Sequence, residues 1–118
     1  MRAGATREGF PRCNRIVRAS DYRAIYSQGR KIHTEKFVLF GRVNGFQHHR
    51  LGITVSRKVG GAVVRNRVKR LFREIFRKSS PEIPNHLDLV VNAKRGCAEA
   101  SYSELCVEFI SAAKRMSR

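Results

Sequence analysis

A chain of 118 residues with 42% hydrophobic content can fill one modest core, so a single domain is expected. Its 25 Lys+Arg against 9 Asp+Glu leave +16 at pH 7, a balance that suits a polyanionic partner. No apolar run approaches the roughly 18 residues of a membrane span, and the basic N-terminus lacks a signal peptide's apolar stretch, so a cytoplasmic protein without a membrane partner is expected.

Met1 to Arg12 is basic and aperiodic, the pattern of a flexible arm, which leaves residues 13–118 as the domain. Ser20 and Asp21 are helix N-cap types, and Tyr22, Ile25 and Tyr26 then fall on one helical face. Gly29 is placed to stop that helix. From Lys31 to Val43 the period becomes two, with Phe37 and Leu39 facing one way and Val38 and Phe40 the other. Asn44-Gly45 is a turn signal, and Leu51, Ile53 and Val55 alternate as in a half-buried strand. Lys31 to Ser56 is therefore expected to be an antiparallel meander.

Gly60-Gly61 breaks the chain, and Ala62 to Lys78 is helical in period, with Val64, Val68, Leu71, Phe72 and Ile75 as its apolar stripe. A Ser/Pro loop follows at residues 79–84, then a strand-length apolar run from Leu87 to Ala93. Ser101 opens a last helix with Glu104 completing a capping box, and Leu105, Phe109, Ile110 and Ala113 form its apolar face. If the long segment 31–43 splits in two, the order is α-β-β-β-α-β-α. The fold class is α+β, a two-layer sandwich of helices on a small sheet with a basic central helix.

The charge is unevenly placed. Residues 1–80 hold 20 basic and 4 acidic side chains, whereas residues 81–118 are neutral. At 100° per residue, Arg65, Asn66, Lys69, Arg70, Arg73 and Arg77 lie opposite the apolar stripe of the central helix, with Arg67 near its margin. Arg65/Lys69, Lys69/Arg73 and Arg73/Arg77 are like charges one turn apart, which destabilises an isolated helix. A solvated face normally mixes both signs. An excess of one sign is easier to understand if a phosphate backbone neutralises it, so this helix is read as a nucleic-acid contact.

Cys13, Cys97 and Cys106 form no CxxC and the four histidines no zinc spacing, so neither a disulfide framework nor a metal site is expected. Cys97 and Cys106 read as small buried apolar residues. Catalysis by the chain itself is not expected. The acids Glu8, Asp21, Glu35 and Glu74 are scattered, Asp88 is alone in a strand, Glu104 and Glu108 suit a solvated helix face, and His48-His49 has no partner motif.

The run from Leu51 to Glu74, LGITVSRKVGGAVVRNRVKRLFRE, resembles the protein component of bacterial ribonuclease P, with its Arg-Asn-Arg signature at Arg65-Asn66-Arg67 after a strand ending Ser56-Arg57-Lys58. The likeness extends over about residues 12–116, through Arg15-Ile16, Asp21-Tyr22, Tyr26 and Lys36 to Phe40. The resemblance implies the same α-β-β-β-α-β-α fold. It also implies a subunit of a ribonucleoprotein that removes the 5′ leader from precursor tRNA, in which the RNA is the catalyst and binds most of the Mg²⁺. Carried over residue by residue, Arg65, Asn66, Arg67, Lys69, Arg70 and Arg73 would bind the ribonuclease P RNA in a 1:1 complex. Tyr22, Tyr26, Phe40, Arg57 and Lys58 would line a cleft for the single-stranded leader. Aromatics beside a basic groove suit that role, because every base has a face to stack. The family often has Phe at Tyr22 and Tyr26 and Tyr at Phe40. Such swaps keep the stacking but not any hydroxyl contact. Two other readings stay open at this point: a ribosomal or chaperone-type RNA binder, and a DNA-binding module with the arginine helix in the major groove.

Overall fold

The computed structural model describes residues 14–117, so the arm assigned to residues 1–12, and Cys13, lie outside the described residues. The elements in chain order are α1 (Ala19–Gln28), β1 (Arg30–His33), β2 (Phe37–Val43), β3 (Arg50–Val55), α2 (Ala62–Ser79), β4 (Leu87–Ala93) and α3 (Tyr102–Met116), with 3-10 turns at Ser80–Glu82 and Arg95–Ala98. The order α-β-β-β-α-β-α is the one expected. Segment 31–43 splits because Thr34 reverses the chain: its hydroxyl accepts hydrogen bonds from the backbone N–H of Lys36 at 3.3 Å and of Phe37 at 3.0 Å.

The meander expected over residues 31–56 does not form. The sheet order is β1-β2-β4-β3, so β4 inserts between β2 and β3. It pairs antiparallel with β2 and parallel with β3. The physical reason lies in β4 itself, where Leu87, Asp88, Leu89, Val90 and Val91 are all buried. A strand buried on both faces belongs in the centre of a sheet. The Asn44-Gly45 pair makes no tight hairpin either, since such turns need positive φ and none occurs among the described residues. The Asn44 side chain instead accepts from Phe46 N–H at 2.9 Å and donates to Asp88 at 2.9 Å.

α1 starts earlier than Ser20-Asp21 suggested. Arg18 is its N-cap, with no side-chain cap, and Asp21 sits in the first turn. The helix does end at Gly29, but not through a left-handed residue, for its φ is −81°. A Cβ there would lie 2.5 Å from the Ile25 carbonyl oxygen and 2.8 Å from that of Gly41, so close backbone approach is what demands glycine. α3 begins as expected, with Ser101 and Glu104 forming a complete capping box.

One face of the sheet is sealed by α2 and α3. Phe37, Leu39, Leu51, Leu87, Leu89 and Val91 meet Val68, Phe72, Ile75 and Phe76 of α2 and Leu105, Phe109 and Ala113 of α3. Phe72 is central, packing edge-on to Phe37 at 5.4 Å and tilted against Phe109 at 6.4 Å. Each such buried side chain contributes about 1.5–3 kcal/mol. Sealing this face fixes the direction of α2 and turns its charged side outward.

Candidate nucleic-acid interface

The strand register sorts the opposite face into three rows. Arg42, Asp88 and Arg50 form the first, and Lys31, Phe40, Val90 and Gly52 the second. His33, Val38, Asn92 and Thr54 form the third. α1 lies over the first two rows. Its predicted stripe is the one that docks: Ile25 is buried with Ile16 on Val90, and Tyr22 and Phe40 pack beside them. The third row keeps its side chains half-buried or exposed.

The aromatic trio expected from the sequence is assembled here. Tyr26 meets Phe40 edge-on at 4.8 Å, Tyr22 lies 6.3 Å from Tyr26, and the Tyr26 hydroxyl donates to Asn92 Oδ1 at 3.0 Å. Tyr22 rests on Gly52 so closely that a Cβ there would be 2.5 Å from its hydroxyl oxygen and 2.8 Å from the ring. Burial, then the neighbouring Tyr26, raise the Tyr22 phenol above its ordinary pKa, so the ring stays uncharged. Lys31 sits 5.7 Å over the Phe40 ring. Arg57 and Lys58 are exposed in the turn after β3, beyond the third row.

The cations of α2 divide by direction. Lys69 and Arg73 line a cavity of about 260 Å³ together with Arg15, Ile16, Val17, Tyr22 and residues 51–53 of β3. The structure therefore joins the arginine helix to the aromatic cleft at Tyr22, two features that the sequence reading kept apart. Arg65 leans back to donate to the Gly60 carbonyl at 3.3 Å, and Asn66 and Arg70 project into solvent. Arg67, at the margin as expected, donates to the Ala98 carbonyl. The helix's one acid, Glu74, is taken by Arg77 at 2.7 Å and Lys78 at 3.5 Å. Those contacts hold its carboxyl below the usual range, the hydrogen bond from Arg77 being the main cause. Lys69, Arg70 and Arg73 have no carboxylate partner among the described residues.

Asp88 is not the lone acid that the sequence suggested. Its side chain is 1% exposed and is gripped by Arg50 through two hydrogen bonds of 2.8 and 2.7 Å, by Asn44 at 2.9 Å and by Arg42 at 3.6 Å. Burial opposes ionisation, but the bonds from Arg50 and Asn44 outweigh it and hold the carboxyl below its ordinary pKa. Asp21 reaches Arg50 at 3.5 Å. The only signal for this network was an acid amid an apolar run.

His49 is likewise structural. Its Nδ1 accepts from Leu87 N–H at 3.0 Å, so Nε2 carries the proton and donates to the Ser80 carbonyl at 3.1 Å. Burial, then the nearby His86, push its pKa down. Cys97 is buried, with its thiol pushed up to about 11 chiefly by burial, and Cys106 is half-buried. Among the described residues no three His, Cys, Asp or Glu side chains gather as a metal ion would require. No helix among them is long and apolar enough to cross a membrane.

Comparison with known proteins bears on this surface. The family model described as Ribonuclease P matches residues 10–117. The ribonuclease P protein component of Desulfovibrio desulfuricans is 44% identical over 113 residues, covering 92% of this chain and 87% of that one. That of Thermotoga maritima is 40% identical over 92 residues, covering 78% and 79%. Among solved structures, the RNase P protein from Thermotoga maritima superposes with a TM-score of 0.78 at 33% identity, covering 86% of this chain and 96% of its own. The Staphylococcus aureus RNase P protein superposes with a TM-score of 0.75 at 30% identity, covering 89% and 98%.

Proposed function

The chain belongs to the ribonuclease P protein family, and from that premise we propose that it serves as the protein subunit of a ribonucleoprotein endonuclease that removes the 5′ leader from precursor tRNA. It binds the ribonuclease P RNA, one protein to one RNA, through Arg65, Asn66, Arg67, Lys69, Arg70 and Arg73. It holds the single-stranded leader on Tyr22, Tyr26 and Phe40, with Arg57 and Lys58 at the open end of the same face. It works in the cytoplasm.

The observation that supports this reading best is the shared cavity of Tyr22, Lys69 and Arg73. It makes one continuous surface of a stacking element and a cationic one. Stacking on aromatics is sequence-tolerant and selects unpaired bases, while the cations neutralise phosphates wherever the strand runs. A duplex offers its phosphates but not its base faces, so the surface suits a single strand beside structured RNA better than DNA in a major groove.

In this reading the RNA performs the cleavage and holds most of the Mg²⁺, and the protein raises affinity for substrate and metal. Among the described residues no acids are gathered for a divalent cation. Asp88 is clamped by arginines, Glu74 is taken by Arg77 and Lys78, and Glu104 closes the cap of α3. No chemical step is assigned to the chain itself.

The test is precursor-tRNA cleavage at low Mg²⁺ by a bacterial ribonuclease P RNA, with and without this protein, and by the protein alone. The expected result is stimulation that requires the RNA and yields the mature 5′ end. Tight RNA binding without stimulation would favour a structural RNA binder. Cleavage by protein alone would overturn the accessory role.

A further inference from the structure

The third row of the open face holds a polar group that neither the stacking nor the phosphate contacts employ. Asn92 lies at its centre on β4, flanked by Val38 of β2 and Thr54 of β3. Its Oδ1 accepts the Tyr26 hydroxyl at 3.0 Å. That bond spends the carbonyl end and sets the amide plane. The Nδ2 group retains two N–H donors with no partner among the described residues, on a half-buried residue. The ring that fixes the amide is itself 38% exposed and braced edge-on by Phe40. A base stacked on Tyr26 would thus have its edge beside a fixed pair of donors.

We infer that Asn92, oriented by the Tyr26 hydroxyl, is a base-reading residue of the cleft, which selects at one leader position a nucleotide presenting a hydrogen-bond acceptor to the Asn92 amide. This rests on the leader-binding reading above. Stacking gives only modest preferences among bases, whereas a preference that depends on one functional group of the base comes from side chains that meet base edges. A strand-borne amide held by a second side chain is preorganised for that, whereas Arg57 and Lys58, exposed in a turn, suit phosphates. Asn92 acts on the substrate and Tyr26 positions it. A simple clamp between α1 and β4 would use the same bond, but it would have no effect on which leader is chosen.

The experiment is competitive cleavage of a precursor-tRNA pool with a randomised leader by the reconstituted holoenzyme, reading relative rates at each leader position for the native protein and three variants. Asn92→Val suits a strand and removes the donors. Asn92→Asp keeps an acceptor for Tyr26, and so the clamp, but removes the donors. Tyr26→Phe keeps the ring and removes the bond that sets the amide. The expected result is a preference of roughly three- to tenfold at one position, the worth of about one hydrogen bond. It flattens in both Asn92 variants and weakens in Tyr26→Phe, while the other positions are unchanged. General loss of affinity from the Asp charge cancels, because each rate is relative within the pool. A flat native profile, or one that survives intact in Asn92→Asp, overturns the inference. Failure of the underlying reading looks different: the protein would then enhance binding of leaderless tRNA as much as that of the leader-bearing precursor.

Discussion

Two arginine clusters stand on this small protein, and they differ in where their counter-charge comes from. Around Asp88, Arg42 and Arg50 are paired within the fold, with the carboxylate buried between them. Along α2, Lys69, Arg70 and Arg73 have no carboxylate partner among the described residues, and the only acid of the helix is occupied by Arg77 and Lys78. The first cluster brings its own anion and serves to join β2, β3 and β4. The second leaves the anion to be supplied from outside. Arginine content alone therefore says little about function; the placement of nine acids among 25 cations says more.

The largest expected effect breaks the first cluster. Asp88→Asn leaves two arginines half-buried without their carboxylate and should cost about 3–5 kcal/mol, the usual penalty for breaking a buried ion pair. Chemical denaturation would measure it. RNA binding by the folded fraction should keep its salt dependence, because no phosphate contact is lost.

A smaller loss is expected where the cleft meets the sheet. Gly52→Ala drives a methyl group to within 2.5 Å of the Tyr22 hydroxyl oxygen. Overpacking of this kind costs about 1–3 kcal/mol. It should also displace Tyr22 and lower leader-dependent affinity, which a comparison of leader-bearing and leaderless tRNA would isolate.

Arg65→Ala with Arg70→Ala addresses the second cluster and should give the reverse of Asp88→Asn. Removing two phosphate contacts should flatten the slope of log affinity against log salt by about 1.5. Thermal stability should hold or rise by a few tenths of a kcal/mol, because like charges one turn apart are relieved. An unchanged slope would sink the assignment of this helix.

The smallest effect is a pH dependence. His49 is held neutral, with a folded pKa below its ordinary 6.5. Between the folded pKa and 6.5 the unfolded chain binds the extra proton, so stability rises with pH there. Its contribution is full above about 6.5 and is lost as the pH falls through the folded value. His49→Gln should remove this acid-side slope in urea titrations run between pH 5 and 7.

Much of the site was legible because it depends on local period. The phase of Val64, Val68, Phe72 and Ile75 places the cations of α2 outward whatever the rest of the chain does, and Phe72 is indeed buried while Arg70 is exposed. The spacing of Tyr22, Ile25 and Tyr26 likewise defines one docking stripe, and it is the one used. The Ser101–Glu104 cap is local for the same reason. Strand pairing was not legible in this way. Asn44-Gly45 signals a hairpin, yet β4 from more than 40 residues along takes the place beside β2. The turn signal is a preference of a few residues, whereas a strand apolar on both faces gains from being central by all the surface it buries.

By itself, then, the sequence determined the α+β class, the order of elements, the outward basic helix and the Tyr22, Ile25 and Tyr26 stripe that docks α1 on the sheet. Only the tertiary structure decided that the sheet runs β1-β2-β4-β3, that Asp88 is an arginine-bound anchor, and that Tyr22 shares a cavity with Lys69 and Arg73. Helical phase and capping are set by residues three or four apart. Which strand fills the centre of a sheet, and which side chains then meet across it, depends on groups far apart in the chain that become neighbours only when the core closes.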